Sequence, residues 1–484
     1  MRHCLMRLLV AALALATTVP AGAQITTAER AARRDSLAAR VGSGVVLAFG
    51  GRTPVSDFGA FHQLPAFLYL TGYEEPDAAF VMVVRDGKGV GTLFTTPIDP
   101  RRAFYYGFRP DSAGIAREYG LASRPFRTLR ATLDTLLTPG TTLYTLDDYE
   151  AEDFAAIDTL TRGRVFVAAM KRANPALVTR DAHPMVNALR ARKSPAELAL
   201  IRRAAEVSSA GHVAAMRVQG ARREAEYQAA IEAEFLRQGA TGPAYGSIVG
   251  AGINGTTLHY MKNRGDAKPG DLVVIDAGAL YEGYAGDVTR TIPVSGRFTP
   301  AQRELYALVR DALAIAEKLS VPGGSARAAV DSSFEVRARG LARLGLIEST
   351  DATFDPPWRA DCQRQPTQCR QGMLWMIHGI SHGIGLAVHD PAQFYEGDRT
   401  FKPGDAFTIE PGIYISSRSL AVLPDTPKNR AFIAKVKAAV ARYEATGVRI
   451  EDDYIMTPTG LERISTAPRE IAEIEALMSG RATP

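Results

Sequence analysis

The segment Met376–Asp390, M-I-H-G-I-S-H-G-I-G-L-A-V-H-D, constrains this chain more than any other stretch. It places three of the chain's eight histidines, His378, His382 and His389, among Gly379, Gly383 and Gly385. Glycines at that density disfavour a helix, because they lose the most backbone entropy on ordering. The four-residue gap between His378 and His382 is therefore not the helical zinc spacing, which also requires a glutamate that is absent here. If the segment is extended, residues 378 and 382 share a face and 389 points elsewhere. At least one of the three then serves substrate rather than metal, and other parts of the chain must supply further ligands.

Those ligands are available on apolar strands. Asp271–Ala277 (D-L-V-V-I-D-A) reads as a strand ending at Asp276, and Tyr284–Pro293 reads as the next strand, carrying Asp287. Gly278 and Gly283 permit the turn between them, so a hairpin can bring the two acids side by side. Adjacent carboxylates repel unless positive charge sits between them. Taken alone, the pair is served equally well by a salt bridge to Arg290. The arrangement then recurs: Phe407–Glu410 ends in Glu410 and Val448–Glu451 ends in Glu451. Four carboxylates and a histidine in one pocket require divalent cations, and bridging carboxylates can hold two metals about 3.5–4 Å apart. Hard oxygen ligands with one imidazole suit manganese, cobalt, zinc or iron.

The N-terminus reads as an export signal. Arg2 and Arg7 form a basic region, Leu8–Ala16 is apolar but shorter than the roughly 20 residues of a membrane span, and Ala21-Gly22-Ala23 is a cleavage site. The mature chain is expected to start at Gln24, in the periplasm or outside the cell, with no membrane attachment. The net charge of +5 is mild, two of its arginines lie in that leader, and no basic stripe is interleaved with aromatics, which argues against a nucleic-acid partner. In an oxidising compartment Cys362 and Cys369, the cysteines remaining after cleavage, are expected to close a small disulfide loop rather than stay free.

With 484 residues, two domains are expected. Residues 24–185 read as an α/β domain. Thr26–Arg40, Ser112–Tyr119 and Ala131–Leu137 have helical patterning, while Gly44–Phe49, Phe67–Gly72, Asp77–Arg85, Gly91–Thr95 and Val165–Ala168 read as strands. No metal or nucleophile constellation stands out in this half. Residues 186–484 open with the capping box Ser194-Pro195-Ala196-Glu197, and a second box, Thr299-Pro300-Ala301-Gln302, starts a later helix. Further helices are expected at about Glu224–Arg237 and from Ser325 to Leu344. Two pairs of helices with strands between them suggest an α+β domain in which helices back a curved antiparallel sheet.

These residues also carry a family resemblance. D-A-G (276–278), G-D-V-T-R-T (286–291), H-G-I-S-H-G-I-G-L-A-V-H-D (378–390), I-E-P-G-I-Y (409–414) and R-I-E-D (449–452) resemble, in order and spacing, the motifs of the pita-bread metallopeptidases. F-L-Y-L-T-G-Y-E-E-P-D (67–77) is similar to the N-terminal domain of the proline-specific members, the creatinase and aminopeptidase P type. The resemblance implies a pita-bread catalytic domain holding two divalent ions, manganese first among them, on Asp276, Asp287, His382, Glu410 and Glu451. Asp287 and Glu451 would bridge the ions, His259 would line the pocket near the substrate N-terminus, His378 and His389 would contact substrate and the tetrahedral intermediate, and Arg449 would support the site. Tyr414 would stand behind it. Glu410 would also relay a proton. The implied activity is hydrolysis of the N-terminal Xaa-Pro bond of proline-containing peptides, with Xaa-Pro dipeptidase (prolidase) and a non-catalytic peptide-binding protein as alternatives, and a dimer or tetramer as the assembly. Two stretches depart from the family pattern, Phe354–Cys369 and Leu420–Glu444. The second reads partly as a helix, with Phe432, Val436, Val440 and Tyr443 on one face, and is either surface decoration or a lid over the pocket.

Overall fold

The computed structural model describes residues 24–54, 61–97, 99–146, 161–218, 220–391 and 399–480. The expected leader lies outside them.

The N-terminal half is a mixed six-stranded sheet of β1 (Gly44–Phe49), β2 (Ala79–Arg85), β3 (Lys88–Thr95), β4 (Ala122–Pro125), β5 (Thr142–Leu146) and β6 (Val178–Asp181), in the order β4-β3-β2-β1-β5-β6. The central β1-β2-β3 meander is antiparallel and the outer strands join in parallel. One face is covered by α1 (Thr27–Val41), α2 (Pro65–Thr71) and, beyond α3 (Pro100–Tyr106), by α4 (Ser112–Tyr119). The other carries α5 (Leu129–Leu136) and α6 (Arg162–Ala173). The next helix, α7 (His183–Arg190), inserts Val186 into the first of these faces.

Two stretches expected as strands are helices. Residues 67–71 lie in α2, which Pro65 starts and Gly72 caps in the left-handed conformation. Residues 165–168 lie inside α6, where the Thr161 side chain accepts from the Arg164 amide. Both are short apolar runs, which periodicity cannot assign to strand or helix.

The second half is built where it was expected. The Ser194 box starts α8 (Pro195–Met216), followed by α9 (Glu224–Arg237). The Thr299 box starts α10 (Pro300–Leu319), followed by α11 (Ala326–Arg343). Between and after these pairs run β7 (Gly242–Pro243), β8 (Ile248–Ala251), β9 (Leu272–Asp276), β10 (Ala279–Tyr281), β11 (Tyr284–Ala285), β12 (Thr289–Pro293), β13 (Ala406–Ile409), β14 (Gly412–Ile415), β15 (Thr446–Arg449), β16 (Asp452–Thr457) and β17 (Gly460–Arg463). They pair antiparallel as β12-β9-β8, β11-β10-β7, β13-β16-β17 and β14-β15, and a bridge between Thr289 and Glu451 joins the first set to the last strands. One apolar cluster, including Tyr227, Ile231, Phe235, Leu305, Tyr306 and Trp375, packs the helices on this curved layer.

The strand expected across Tyr284–Pro293 is broken in two, with Asp287 in the gap between β11 and β12. The break is steric. A Cβ on Gly278 would lie 1.7 Å from the Gly286 carbonyl oxygen, and one on Gly286 would meet Ser208 and the Ala204 carbonyl. The backbones cross there at a distance that only glycine allows, and the crossing turns Asp287 toward Asp276.

Both departures from the family pattern are packed together. Cys362 and Cys369 are disulfide-bonded. Between the short α12 (Ser417–Ala421) and β15 runs α13 (Pro427–Arg442), with Phe432, Val436 and Val440 buried as expected. Asn429 of α13 donates to the Asp355 carbonyl at 2.8 Å, and Phe354 and Phe432 lie 6.3 Å apart. Among the described residues, neither segment lines the histidine-lined cavity. The last helix, α14 (Ile471–Met478), closes the chain against the same core.

Replacing both Cys362 and Cys369 by serine opens a loop with a sequence separation of 7. Loop-closure entropy of that size is worth about 2 kcal/mol. The expected outcome is a lower thermal midpoint by calorimetry with unchanged kcat, since the loop lies away from the cavity.

Candidate metal centre

Five side chains from four separate places in the sequence meet at one end of the sheets. Asp276 ends β9 beside Thr289 of β12 and Ile248 of β8. Asp287 follows the glycine crossing. Glu410 lies between β13 and β14, and Glu451 between β15 and β16. His382 is locked to β13 on both sides, since its amide donates to Thr408 Oγ1 and its carbonyl accepts from the Thr408 amide. One oxygen each of Asp287 and Glu451 and one nitrogen of His382 lie within 4.8 Å of one another. The His382 Nε2 is 3.4 Å from Asp287, 3.6 Å from Glu410 and 3.8 Å from Glu451.

The hydrogen bonds explain what this cluster is fitted to hold. His382 Nδ1 lies 3.1 Å from the Gly383 carbonyl, which can only accept, so Nδ1 carries the proton. In the neutral ring, Nε2 then turns a lone pair toward three carboxylates. The Tyr245 hydroxyl lies 2.6 Å from Asp276 Oδ1 and 2.5 Å from Asp287 Oδ1. A phenol has one proton to give, so it satisfies one acid at a time. Glu451 accepts from Thr289 Oγ1 at 2.7 Å, while its Oε1 is buried with no hydrogen-bond partner among the described residues. Burial first, and then the neighbouring acids, push the carboxyls of Asp287 and Glu451 well above the usual range. Lone pairs, an orphaned oxygen and acids resisting ionisation around one point are the donor set of divalent cations, and the residues fit them.

Not every acid is left uncompensated. Arg449 donates to Asp276 Oδ2 at 2.6 Å, to the Tyr414 hydroxyl at 2.7 Å and to Thr289 Oγ1 at 3.2 Å. Tyr414 in turn lies 2.8 Å from His378 Nε2, and His378 Nδ1 is 3.4 Å from Glu410. The Tyr414 oxygen accepts from Arg449, and among its described partners the one acceptor is His378 Nε2. The tyrosine proton therefore points there, and the His378 proton sits on Nδ1 facing Glu410. Burial opposes ionisation of Glu410, but the hydrogen bond from His378 and nearby positive charge, Arg449 included, outweigh it and draw its carboxyl down to about 2. The salt bridge to Arg290 that could have explained the aspartate pair does not form. Arg290 is fully buried against Asp452, at 2.6 Å, and braces the Glu451 carbonyl from behind.

The histidine segment departs from its expected geometry in one respect. Residues 383–390 turn back, with the Asp390 amide donating to the Gly383 carbonyl at 2.7 Å. His389 therefore faces the same cavity as His378 and His382, its ring 4.1 Å from that of His382. Burial, and then His382, lower the His389 pKa to about 4. The cavity, of about 460 Å³, is lined by all the expected site residues, His259 and Arg449 included, together with apolar Ile248, Leu258, Met261 and Val388. Two contributors were not foreseen. Tyr245 sits in G-P-A-Y-G with no spacing signal. Asp453, one residue past the R-I-E-D motif, accepts from the Asp287 amide at 2.9 Å and so fixes that acid's backbone.

Comparison with known proteins follows the same division. Residues 199–458 match the family model for Metallopeptidase family M24, and residues 30–144 match that for the aminopeptidase P N-terminal domain. The Xaa-Pro aminopeptidase of Escherichia coli (strain K12) is 33% identical over 432 residues, covering 86% of this chain and 89% of that protein. The Xaa-Pro aminopeptidase of Haemophilus influenzae is 33% identical over 428 residues, covering 87% and 89%. Among solved structures, proline aminopeptidase P II from Yersinia pestis has a TM-score of 0.77 at 31% identity, covering 94% of this chain and all of that one. Zinc-substituted E. coli aminopeptidase P in complex with product has a TM-score of 0.76 at 30% identity.

The carboxylate cluster makes a specific prediction for the metal-free protein. Asp287→Asn removes an acid that burial and its neighbours make costly to ionise, so the chelated variant is expected to melt several degrees above the chelated parent. Calorimetry with added manganese should show proton release on binding to the parent, because raised carboxyls must ionise to ligate. A chelated variant that melts lower, or binding without proton release, contradicts this account.

Proposed function

The chain belongs to metallopeptidase family M24, and on that premise we propose that it is a Xaa-Pro aminopeptidase, a hydrolase that removes the N-terminal residue preceding proline. The observation that carries this reading is the convergence of Asp276, Asp287, His382, Glu410 and Glu451 on one cavity, in a chain that also spans the proline-specific N-terminal domain. These five residues would hold the divalent ions. When bound, the ions supply the positive charge that lowers the pKa of water and polarises a carbonyl oxygen. Manganese fits a ligand set of hard oxygens with one imidazole.

The chain's own groups then have separate tasks. Glu410, ionised at neutral pH, accepts the proton of the attacking water and passes it to the departing prolyl nitrogen. His378, oriented by Tyr414, keeps its Nδ1 proton on Glu410 and holds that carboxylate in place. Neutral His389 turns an N–H into the cavity, where it meets the oxygen that gains charge during attack. His259 lines the part of the cavity that receives the substrate N-terminus. Arg449 holds Asp276 and Tyr414 together, so one cation orients the ligand strand and the histidine relay. The leader in residues 1–23 supports an exported enzyme, and the family resemblance supports a homo-oligomer.

A substrate-length series separates this reading from a strict dipeptidase. Arg-Pro-Pro is expected to be cleaved between arginine and proline, with activity lost on chelation and restored by manganese. An enzyme that cleaves Xaa-Pro dipeptides and leaves the tripeptide intact is a prolidase. His378→Ala and His389→Ala should each lower kcat about 10²–10³-fold with metal retained, whereas His382→Ala should lower metal content by elemental analysis. Equal metal loss in all three would reject that division of tasks.

A further inference from the structure

We propose that Arg190 and Lys193, in the connection between the two domains, are positioning residues for His389, through which the N-terminal domain sets the turnover of the site. The proposal rests on the role given to His389 above.

The loop that carries His389 is anchored at two ends of different origin. Its beginning, at His382, belongs to the catalytic sheet through Thr408, and the Ile384 amide donates to the Ala406 carbonyl. Its end, at Asp390, is tied back to Gly383 by the backbone and is gripped in addition by two cations from the connection between the domains. Arg190 Nε lies 2.9 Å from Asp390 Oδ1, and each side chain is 3% exposed. Lys193 Nζ donates to the Asp390 main-chain carbonyl, and the Leu386 amide donates to Asp390 Oδ2 at 2.8 Å. Asp390 is thus held by its side chain and its backbone, immediately after the histidine. A buried carboxylate paired in this way resists displacement, because moving it exposes an unpaired charge to an apolar surrounding.

Of the two cations, Arg190 reports the position of the N-terminal domain, while the Lys193 amide donates to the Gly404 carbonyl of the catalytic domain at 3.2 Å. Arg190 is the last residue of α7, whose Val186 lies in the same apolar cluster as Leu37, Phe67 and Leu70. Leu386, in the middle of the loop, packs against that cluster as well. A second set of contacts fixes the domains in register nearby: Arg33 of α1 lies 3.2 Å from Glu197 of α8, and Ser194 Oγ donates to Glu29 at 2.7 Å. There is no slack between these anchors. A Cβ on Gly385 would fall 2.5 Å from Asp390 Oδ2 and 3.0 Å from Lys193 Cε. The Gly385 carbonyl also accepts from the Ala285 amide at 2.8 Å, two residues before Asp287. Displacement of the loop end therefore shifts His389, the residue before Asp390, whereas His382 is also held to β13 by its two bonds with Thr408.

The experiment is a double-mutant cycle on the manganese-loaded full chain, read as kcat and KM for Arg-Pro-Pro and as metal per chain. Arg190→Met is expected to lower kcat ~10–100-fold, with KM and metal content unchanged, and Arg190→Lys to recover part of the loss. In the His389→Ala background, Arg190→Met should cost nothing further, because its effect passes through that ring. Should Arg190→Met fail to fold, Lys193→Met and Leu386→Ala carry the same cycle. A slow His389→Ala enzyme that Arg190→Met slows again by the same factor overturns the proposal alone, as does Arg190→Met with full kcat. A His389→Ala enzyme of unchanged kcat overturns the role of His389, and the proposal with it.

Discussion

Mutual repulsion among buried carboxylates is the constraint on which the second domain depends. Asp276, Asp287, Glu410 and Glu451 face one cavity, and an uncompensated buried charge costs several kcal/mol. The protein neutralises part of this itself. Arg449 takes Asp276, the protonated side of His378 takes Glu410, and Arg290 is kept away from the cavity by Asp452. The deficit that remains is concentrated at Asp287 and Glu451, on either side of the His382 lone pair. Positive charge is withheld where divalent cations would be held, so the ligand set is tuned by what its neighbours do not provide.

The strands serve that distribution. Antiparallel pairing of β9 with β12 sets Asp276 opposite Thr289, and Thr289 donates to Glu451 across the bridge that joins the two halves of the sheet. Two glycines at the crossing bring Asp287 inward, and the Asp453 carboxylate holds its amide. Among the described residues the N-terminal domain has no comparable group of metal-ligating side chains. Its contribution is mechanical: Arg33 holds α8 through Glu197, and α7, packed on the N-terminal core, carries Arg190 to the loop that bears His389.

Local signals were legible where the physics is local. The two capping boxes named the starts of α8 and α10, because a cap satisfies backbone donors within one turn. The buried faces of α13 followed from spacing. Short apolar runs were not legible: residues 67–71, largely buried in α2, and 165–168, half exposed in α6, are both too short for periodicity to tell strand from helix. The folding-back of 383–390, closed by the Asp390 amide on the Gly383 carbonyl, was equally out of reach, since it also carries Asp390 to Arg190, 200 residues earlier in the chain.

By itself, the sequence determined which groups could ligate and that they had to meet. Carboxylates closing apolar strands, and histidines among glycines, have no stable solution as isolated buried charges. Only the tertiary structure decided how the charge is shared. Whether Asp276 pairs with Arg290 or Arg449, whether His389 enters the cavity, and that Tyr245 stands between two aspartates are outcomes of strand crossing and domain contact. These depend on distances between residues far apart in the chain, which no local pattern encodes.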